Sequence, residues 1–245
     1  MEVHAHSHTP RKKWTNYLWE FLMLFLAVFC GFLAENQREH YVEQQREKKY
    51  IFSLIQDLKA DTANFESYII RQRERRVAMD SLTMLLATGK YKQFGNETYL
   101  FARYVLGSAA FISTDGTLLQ LKNAGNLRLI KKQLVVDSIL AYDAHLKELQ
   151  ERDVVDIDIR NSFREMGGNI FKADIFYRVI DSNLNYVKPT NNPQLITDNA
   201  TTINNIAFQI QYLSVIAKAT LYHATRLKSE AINLIELLKK EYHLK

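Results

Sequence analysis

The stretch Ile203–Leu238, INNIAFQIQYLSVIAKATLYHATRLKSEAINLIELL, decides the fold. Apolar or small residues recur at Ile203, Ile206, Ile210, Leu213, Ala217, Thr220, Ala224, Leu227, Ala231, Leu234 and Leu238, in steps that alternate three and four without a fault. That period puts all of them on one stripe of a helix, and such a stripe is stable when it packs against other helices. The alanines and the threonine on the seam let neighbouring backbones approach, as they do inside a bundle. Asn191-Asn192-Pro193 reads as the loop before it, with Asp198 or Thr201 as the expected N-cap.

The same rhythm recurs upstream. Ile51, Ile55, Leu58, Thr62, Phe65 and Ile69 form a second stripe. Val135, Ile139, Tyr142, Leu146 and Leu149 form a third, on a helix expected from near Lys131 toward Met166 and stopped by Gly167-Gly168. Shorter helices are expected over 78–87, 96–106, 115–123 and 170–183. Only 8 Gly and 3 Pro punctuate the 245 residues, too few turn signals for a β-rich protein. The expected fold is all-α: an antiparallel helical bundle over residues 50–245, elaborated between its first and second long helices.

The amino end is organised differently. Trp14–Ala34, WTNYLWEFLMLFLAVFCGFLA, is apolar on every face and covers about 31 Å at 1.5 Å per residue, roughly one hydrocarbon core. It reads as a transmembrane helix, preceded by a polar, His-rich and basic tail over 1–13. A helical stalk follows over 35–49, charged on most faces and free of Gly and Pro. A cleaved signal peptide is the competing reading, since the apolar stretch from Phe21 has a signal-like length. Phe32-Leu33-Ala34 lacks the small residues of a cleavage site, and the bulky Phe29 before Cys30 suits no lipoprotein signal. As the only cysteine, Cys30 has no intrachain disulfide partner and serves as a small hydrophobe. An uncleaved signal anchor is therefore expected. Arg11, Lys12 and Lys13 crowd its amino side, whereas Arg38, Arg46, Lys48 and Lys49 are diluted on the other, so the amino terminus is expected in the cytoplasm. Trp14, Tyr17 and Trp19 sit where an interfacial aromatic belt belongs.

Two patches carry a resemblance. Tyr17, Glu20, Gly31, Ala34 and Asn36, followed by REKKYIFSLIQDLKAD (Arg46–Asp61), form one. TDGTLLQLKNAGNLRLIKKQLVVDSILAYD (Thr114–Asp143) forms the other. Together they resemble a family of uncharacterised single-pass membrane proteins from Bacteroidota, over about a third of the chain. The Phe-rich packing of this anchor departs from the family's Ile/Val-rich one, and the tryptophan often found after the anchor Asn is absent. The resemblance supports the single-pass anchor and the architecture, while the basic run before Trp14 leads to the expectation of an inner-membrane protein with the bulk of the chain in the periplasm. The resemblance implies no activity and no catalytic residues.

Chemical motifs are sparse. The net charge of +5 is spread with both signs along the helices, which argues against a nucleic-acid partner. HExxH, CxxC, a phosphate-binding glycine loop and a nucleophile elbow are all missing from the sequence, so neither an enzyme nor a cofactor is expected. His4, His6 and His8 alternate with small residues, and an extended tail could offer all three to one transition-metal ion; a solvated tail is the plainer expectation. Asp153, Asp156 and Asp158 in RDVVDIDIR read as a charged helix face. Arg71, Arg73, Arg75 and Arg76 form the densest basic cluster beyond the anchor, expected as a solvated helix end or a contact for an anionic partner or ligand. Glu20, an acid inside the apolar run, is either an interfacial carboxylate, a contact to a partner helix or a proton carrier. These features favour an anchored interaction or structural protein, a homo-oligomer or a member of an envelope complex, with the lipid bilayer as its first partner. A periplasmic small-ligand sensor domain, or an accessory subunit of an envelope complex, is the alternative.

Overall fold

The computed structural model describes residues 14–107 and 110–244. It contains α1 (Trp14–Ala87), α2 (Gly95–Leu106), α3 (Gly116–Asn123), α4 (Gln133–Gly167), α5 (Ala173–Arg178) and α6 (Ala200–Tyr242). Among the described residues the only β pairing is a single antiparallel bridge between Ile180 and Tyr186. The fold is all-α, as the stripes predict.

The chain divides into two compact units, Met1–Tyr50 and Ile51–Lys245. In the first, the amino-terminal part of α1 supplies a segment long and apolar enough to cross a membrane, with none of it buried. The second is a bundle built on the rest of α1, on α4 and on α6. All eleven positions of the Ile203–Leu238 seam are buried, and so are Ile51, Ile55, Leu58, Phe65 and Ile69 and the whole α4 stripe. Thr62 is half-buried and spends its hydroxyl on the Leu58 carbonyl at 2.8 Å.

Cross-helix contacts set the directions. Lys132 meets Glu241 at 2.9 Å and His145 meets Glu230 at 2.8 Å, so α6 runs antiparallel to α4. Lys228 pairs with Glu66 and Ser214 donates to Asp80, so α6 runs antiparallel to α1 as well. Asp61 with Tyr142, Tyr68 with Asp153 and Arg75 with Asp156 advance together, so α1 and α4 are parallel. Two parallel neighbours in sequence need a return path, and residues 88–132, with α2 and α3, provide it. The elaboration expected between the first two long helices is therefore what allows this arrangement.

Local boundaries differ from the sequence reading at three places. Residues 78–87 do not form a separate helix but complete α1, because Ala78, Met79, Leu82, Leu85 and Leu86 continue its buried face. The helix stops at Gly89, whose φ of 70° lies where a side chain is disfavoured. Asn199, not Asp198 or Thr201, caps α6: its side chain accepts from the Thr202 amide at 3.0 Å, while Asp198 pairs with Lys92 at 3.4 Å. The helix expected over 170–183 shrinks to α5, because Asp181 turns the chain by accepting from the Asn183 and Asn185 amides, both at 2.8 Å.

Candidate functional site

Residues 110–115, before α3, run without regular structure, and their backbone groups find partners on α1 and α4 instead. The Asp61 carboxylate accepts from the Thr114 amide at 2.6 Å and from the Tyr142 hydroxyl at 2.9 Å. Asp153 accepts from the Phe111 amide at 2.9 Å and from the Tyr68 hydroxyl at 2.7 Å. Asp57 accepts from the Thr117 amide at 3.0 Å, at the start of α3. Phe111 itself stacks on Phe65 at 3.9 Å between ring centres. Asp57 and Asp61, one turn apart on α1, and Asp153 on α4 thus hold a strip of backbone outside any ladder in place, as buried amides require.

Burial has an electrostatic consequence here. It raises the Asp61 and Asp153 carboxyls above their ordinary range, against the pull of the amides and hydroxyls that bond them. Burial also raises the Tyr68 and Tyr142 hydroxyls, with the facing carboxylates pushing the same way, so both stay neutral donors.

Farther along α1 the acid–tyrosine pattern gives way to a charge pair. Arg75 is only 2% exposed and Asp156 only 5%. Asp156 bridges two cations, meeting Arg75 Nη1 at 2.8 Å and Arg160 Nε at 2.8 Å. Those guanidinia also donate to the carbonyls that end α2: Arg75 Nε to Val105 at 3.1 Å and Arg160 Nη1 to Leu106 at 3.3 Å. Burial pulls the Arg75 guanidinium down from its usual range, and Asp156 pushes it back up.

Next to this pair lies a cleft of about 850 Å³ in the Ile51–Lys245 unit. Arg71 and Arg75 from α1, Arg103 from α2 and Arg164 from α4 make its basic wall, and Glu74 is the single acid lining it among the described residues. Tyr104, Leu106, Ile180, Leu184 and Tyr186 form an apolar wall. Tyr104 and Tyr186 meet edge to face at 4.4 Å. Gly107 is required beneath them, because a Cβ there would collide with the Tyr186 hydroxyl. Burial raises the Tyr186 hydroxyl above its ordinary value while Arg103 and Arg75 draw it down. The turn at the rim is pinned by Asp181 and holds the mostly exposed Leu184 at a φ of 65°, an unfavourable backbone for a leucine.

The predicted site residues are distributed unevenly over this structure. Arg71 and Arg75 line the cleft, whereas Arg73 is exposed and does not line it. Arg76 is half-buried, with its Nε unpartnered. The expectation of a solvated helix end is corrected, since α1 continues past all four and buries Arg75 in an ion pair. The charged face expected at 153–158 is corrected in the same way: only Asp158 is exposed, and Asp153 and Asp156 are buried because donors from other elements meet them. Glu20 lies exposed on α1. His4, His6 and His8 fall outside the described residues. Arg103, Arg164, Tyr104 and Tyr186 escaped the sequence reading, for they come from three separate segments and share no spacing. The signal within reach was Arg160 and Arg164 one turn apart before Gly167-Gly168. Comparison with protein-family models, with curated proteins and with solved structures gives no match to this chain.

Proposed function

We propose that this chain is a single-pass, membrane-anchored helical protein of the cell envelope that acts by assembly, with itself or with an envelope complex, and not by catalysis. One observation carries the anchoring: Trp14, Phe21, Met23, Leu24, Val28 and Phe32 are each 65% or more exposed on α1. Apolar side chains around a whole helix cost about 25 cal/mol per Å² in water and are at no cost in hydrocarbon. The bilayer is the partner that such a helix fits. The basic run before Trp14 favours a cytoplasmic amino terminus and a periplasmic bundle. The resemblance to uncharacterised Bacteroidota membrane proteins supports the same placement.

Assembly has its own support on α6. Opposite the buried seam, Phe208, Tyr212, Val215 and Tyr222 are 64%, 50%, 54% and 67% exposed, at a four-residue step, a three-residue step and then two turns. A second stripe on a helix that already has a core face suits a further helix. Glu20, on the membrane segment, is assigned a contact with a partner helix and not proton transfer, because no second carboxylate, histidine or lysine lies deeper in the span.

The test joins topology to assembly. The full chain should stay in the membrane pellet after alkaline carbonate. Alkaline phosphatase fused at Lys245 should be active, whereas a fluorescent protein there should be dark. In mild detergent, Tyr212→Glu or Glu20→Ala should lower the assembled mass. Extraction by carbonate would refute the anchor. A fluorescent, phosphatase-negative fusion would reverse the orientation, and an unchanged mass in both variants would remove assembly through these faces.

A further inference from the structure

We propose that the cleft between α1, α2, α4 and the 180–186 turn binds a soluble phosphate monoester with a ring body, its phosphate on Arg71, Arg75 and Arg164 and its ring against Tyr104 and Tyr186. This goes beyond the assembly reading and does not depend on it.

The charge on the basic wall is not spent inside the protein. Among the described residues, the side chains of Arg71 and Arg164 make neither an ion pair nor a hydrogen bond, and the Arg103 guanidinium lies over the Phe176 ring, at 5.0 Å. Guanidinia brought together from three helices in a concave wall concentrate positive potential, and their forked donors match the oxygens of a phosphate. Like charges held this close repel each other, so the arrangement is favourable when an anion sits among them.

One donor of a cleft-lining arginine is left over behind the same wall. Arg75 spends Nη1 on Asp156 and Nε on the Val105 carbonyl, but its Nη2 is buried with no partner. A buried N–H left unmade costs more than an average hydrogen bond gains, so native proteins rarely keep one without a role. A phosphate oxygen in the cleft satisfies it once the guanidinium turns slightly outward. Gln72 is 4% exposed, lines the cleft and carries a buried, unpartnered Oε1. That oxygen lacks a donor, and a hydroxyl or ring N–H on the ligand body meets it once the side chain turns toward the cleft. The cleft is larger than an inorganic ion requires and falls in the range of small-molecule sites. The tyrosine pair, kept in place by Gly107, offers faces to a sugar or base ring.

The experiment is calorimetric titration of the full chain in phosphatidylcholine nanodiscs. Adenosine monophosphate and glucose 6-phosphate are the two probes, with adenosine and inorganic phosphate as their separated parts. At least one probe should bind, with adenosine and inorganic phosphate weaker by about tenfold or more. Arg71→Gln and Arg164→Gln, both at exposed positions, should each weaken that probe at least about tenfold while the thermal melt stays unchanged. Arg73→Gln, on the same helix but outside the cleft, should bind as wild type does. The result is overturned if neither probe binds below about 1 mM. It is equally overturned if Arg73→Gln loses as much affinity as Arg71→Gln, which would mean diffuse charge attraction. Nanodiscs with one part phosphatidylglycerol in about three separate the source of the phosphate. Unchanged affinity supports a soluble ligand, whereas suppression means that lipid headgroups fill the cleft and overturns the proposal.

Discussion

Asp156→Ala is the substitution with the most to say about how the bundle is held. Its carboxylate is 7% exposed and faces two guanidinia, Arg75 at 3% and Arg160 at 11%, each at 2.8 Å. Removing it leaves Arg75 charged and buried, with only the Val105 carbonyl for company, whereas Arg160 can swing toward water. Breaking a buried pair by deleting one partner costs about 3–5 kcal/mol. A domain of this size loses roughly 2–4 °C per kcal/mol, so the melting temperature should fall by about 6–20 °C. Asp156→Asn keeps an acceptor without the charge and should fall between. The full chain in mild detergent, melted by circular dichroism, reads the effect, with Arg73→Ala as a surface control. If Asp156→Ala and Arg73→Ala melt within about 2 °C of each other, the guanidinium is not buried in solution and the α1–α4 pairing described above is incorrect.

Leu213 is fully buried on the α6 seam, so Leu213→Asp should unfold the bundle by placing an unpaired carboxylate among apolar side chains, at a cost of several kcal/mol; an unchanged melt would mean that the seam faces water or a partner. Asp61→Asn tests the raised carboxyl. A carboxyl raised on folding takes up its proton more readily in the native state, so the native state loses ground as pH rises from the ordinary carboxylate range, about 4, through the folded value. Asparagine mimics the protonated form, so the stability of Asp61→Asn relative to wild type should improve from about pH 4 to pH 7. A penalty that grows over that interval would mean that the Thr114 and Tyr142 bonds outweigh burial.

The sequence carried the helices well and their polar contacts poorly. The α6 seam was legible residue by residue because a step of three and four has one structural meaning, and each of its positions is buried. In sequence alone Asp153 and Asp156 suggest a solvated face, because charged residues usually are solvated. What buries them is Tyr68, Arg75 and the Phe111 amide, 42 to 85 residues away, which no local pattern announces. Arg75 was grouped with three neighbours by proximity in sequence, whereas a helix turns consecutive residues to different sides. Only Arg71 and Arg75, four apart, face the cleft. The other half of that cleft depends on the parallel run of α1 and α4, a matter of topology that periodicity leaves open.

That topology also governs the order in which the protein can be made. On α1, Arg75 leaves the ribosome 81 residues before Asp156, and Glu66 leaves 162 residues before Lys228. At about 5–20 residues per second, the core face of α1 waits roughly 4–16 s for α4, and twice as long for α6. During that wait Ile51, Leu58, Phe65 and Leu82 have no neighbour to cover them. A charged Arg75, a polar Gln72 and the acids Asp57 and Asp61 interrupt the stripe, and they keep the unpartnered nascent helix wet until its mates arrive. Apolar replacements at these positions that leave the finished fold intact should then be felt in yield before stability.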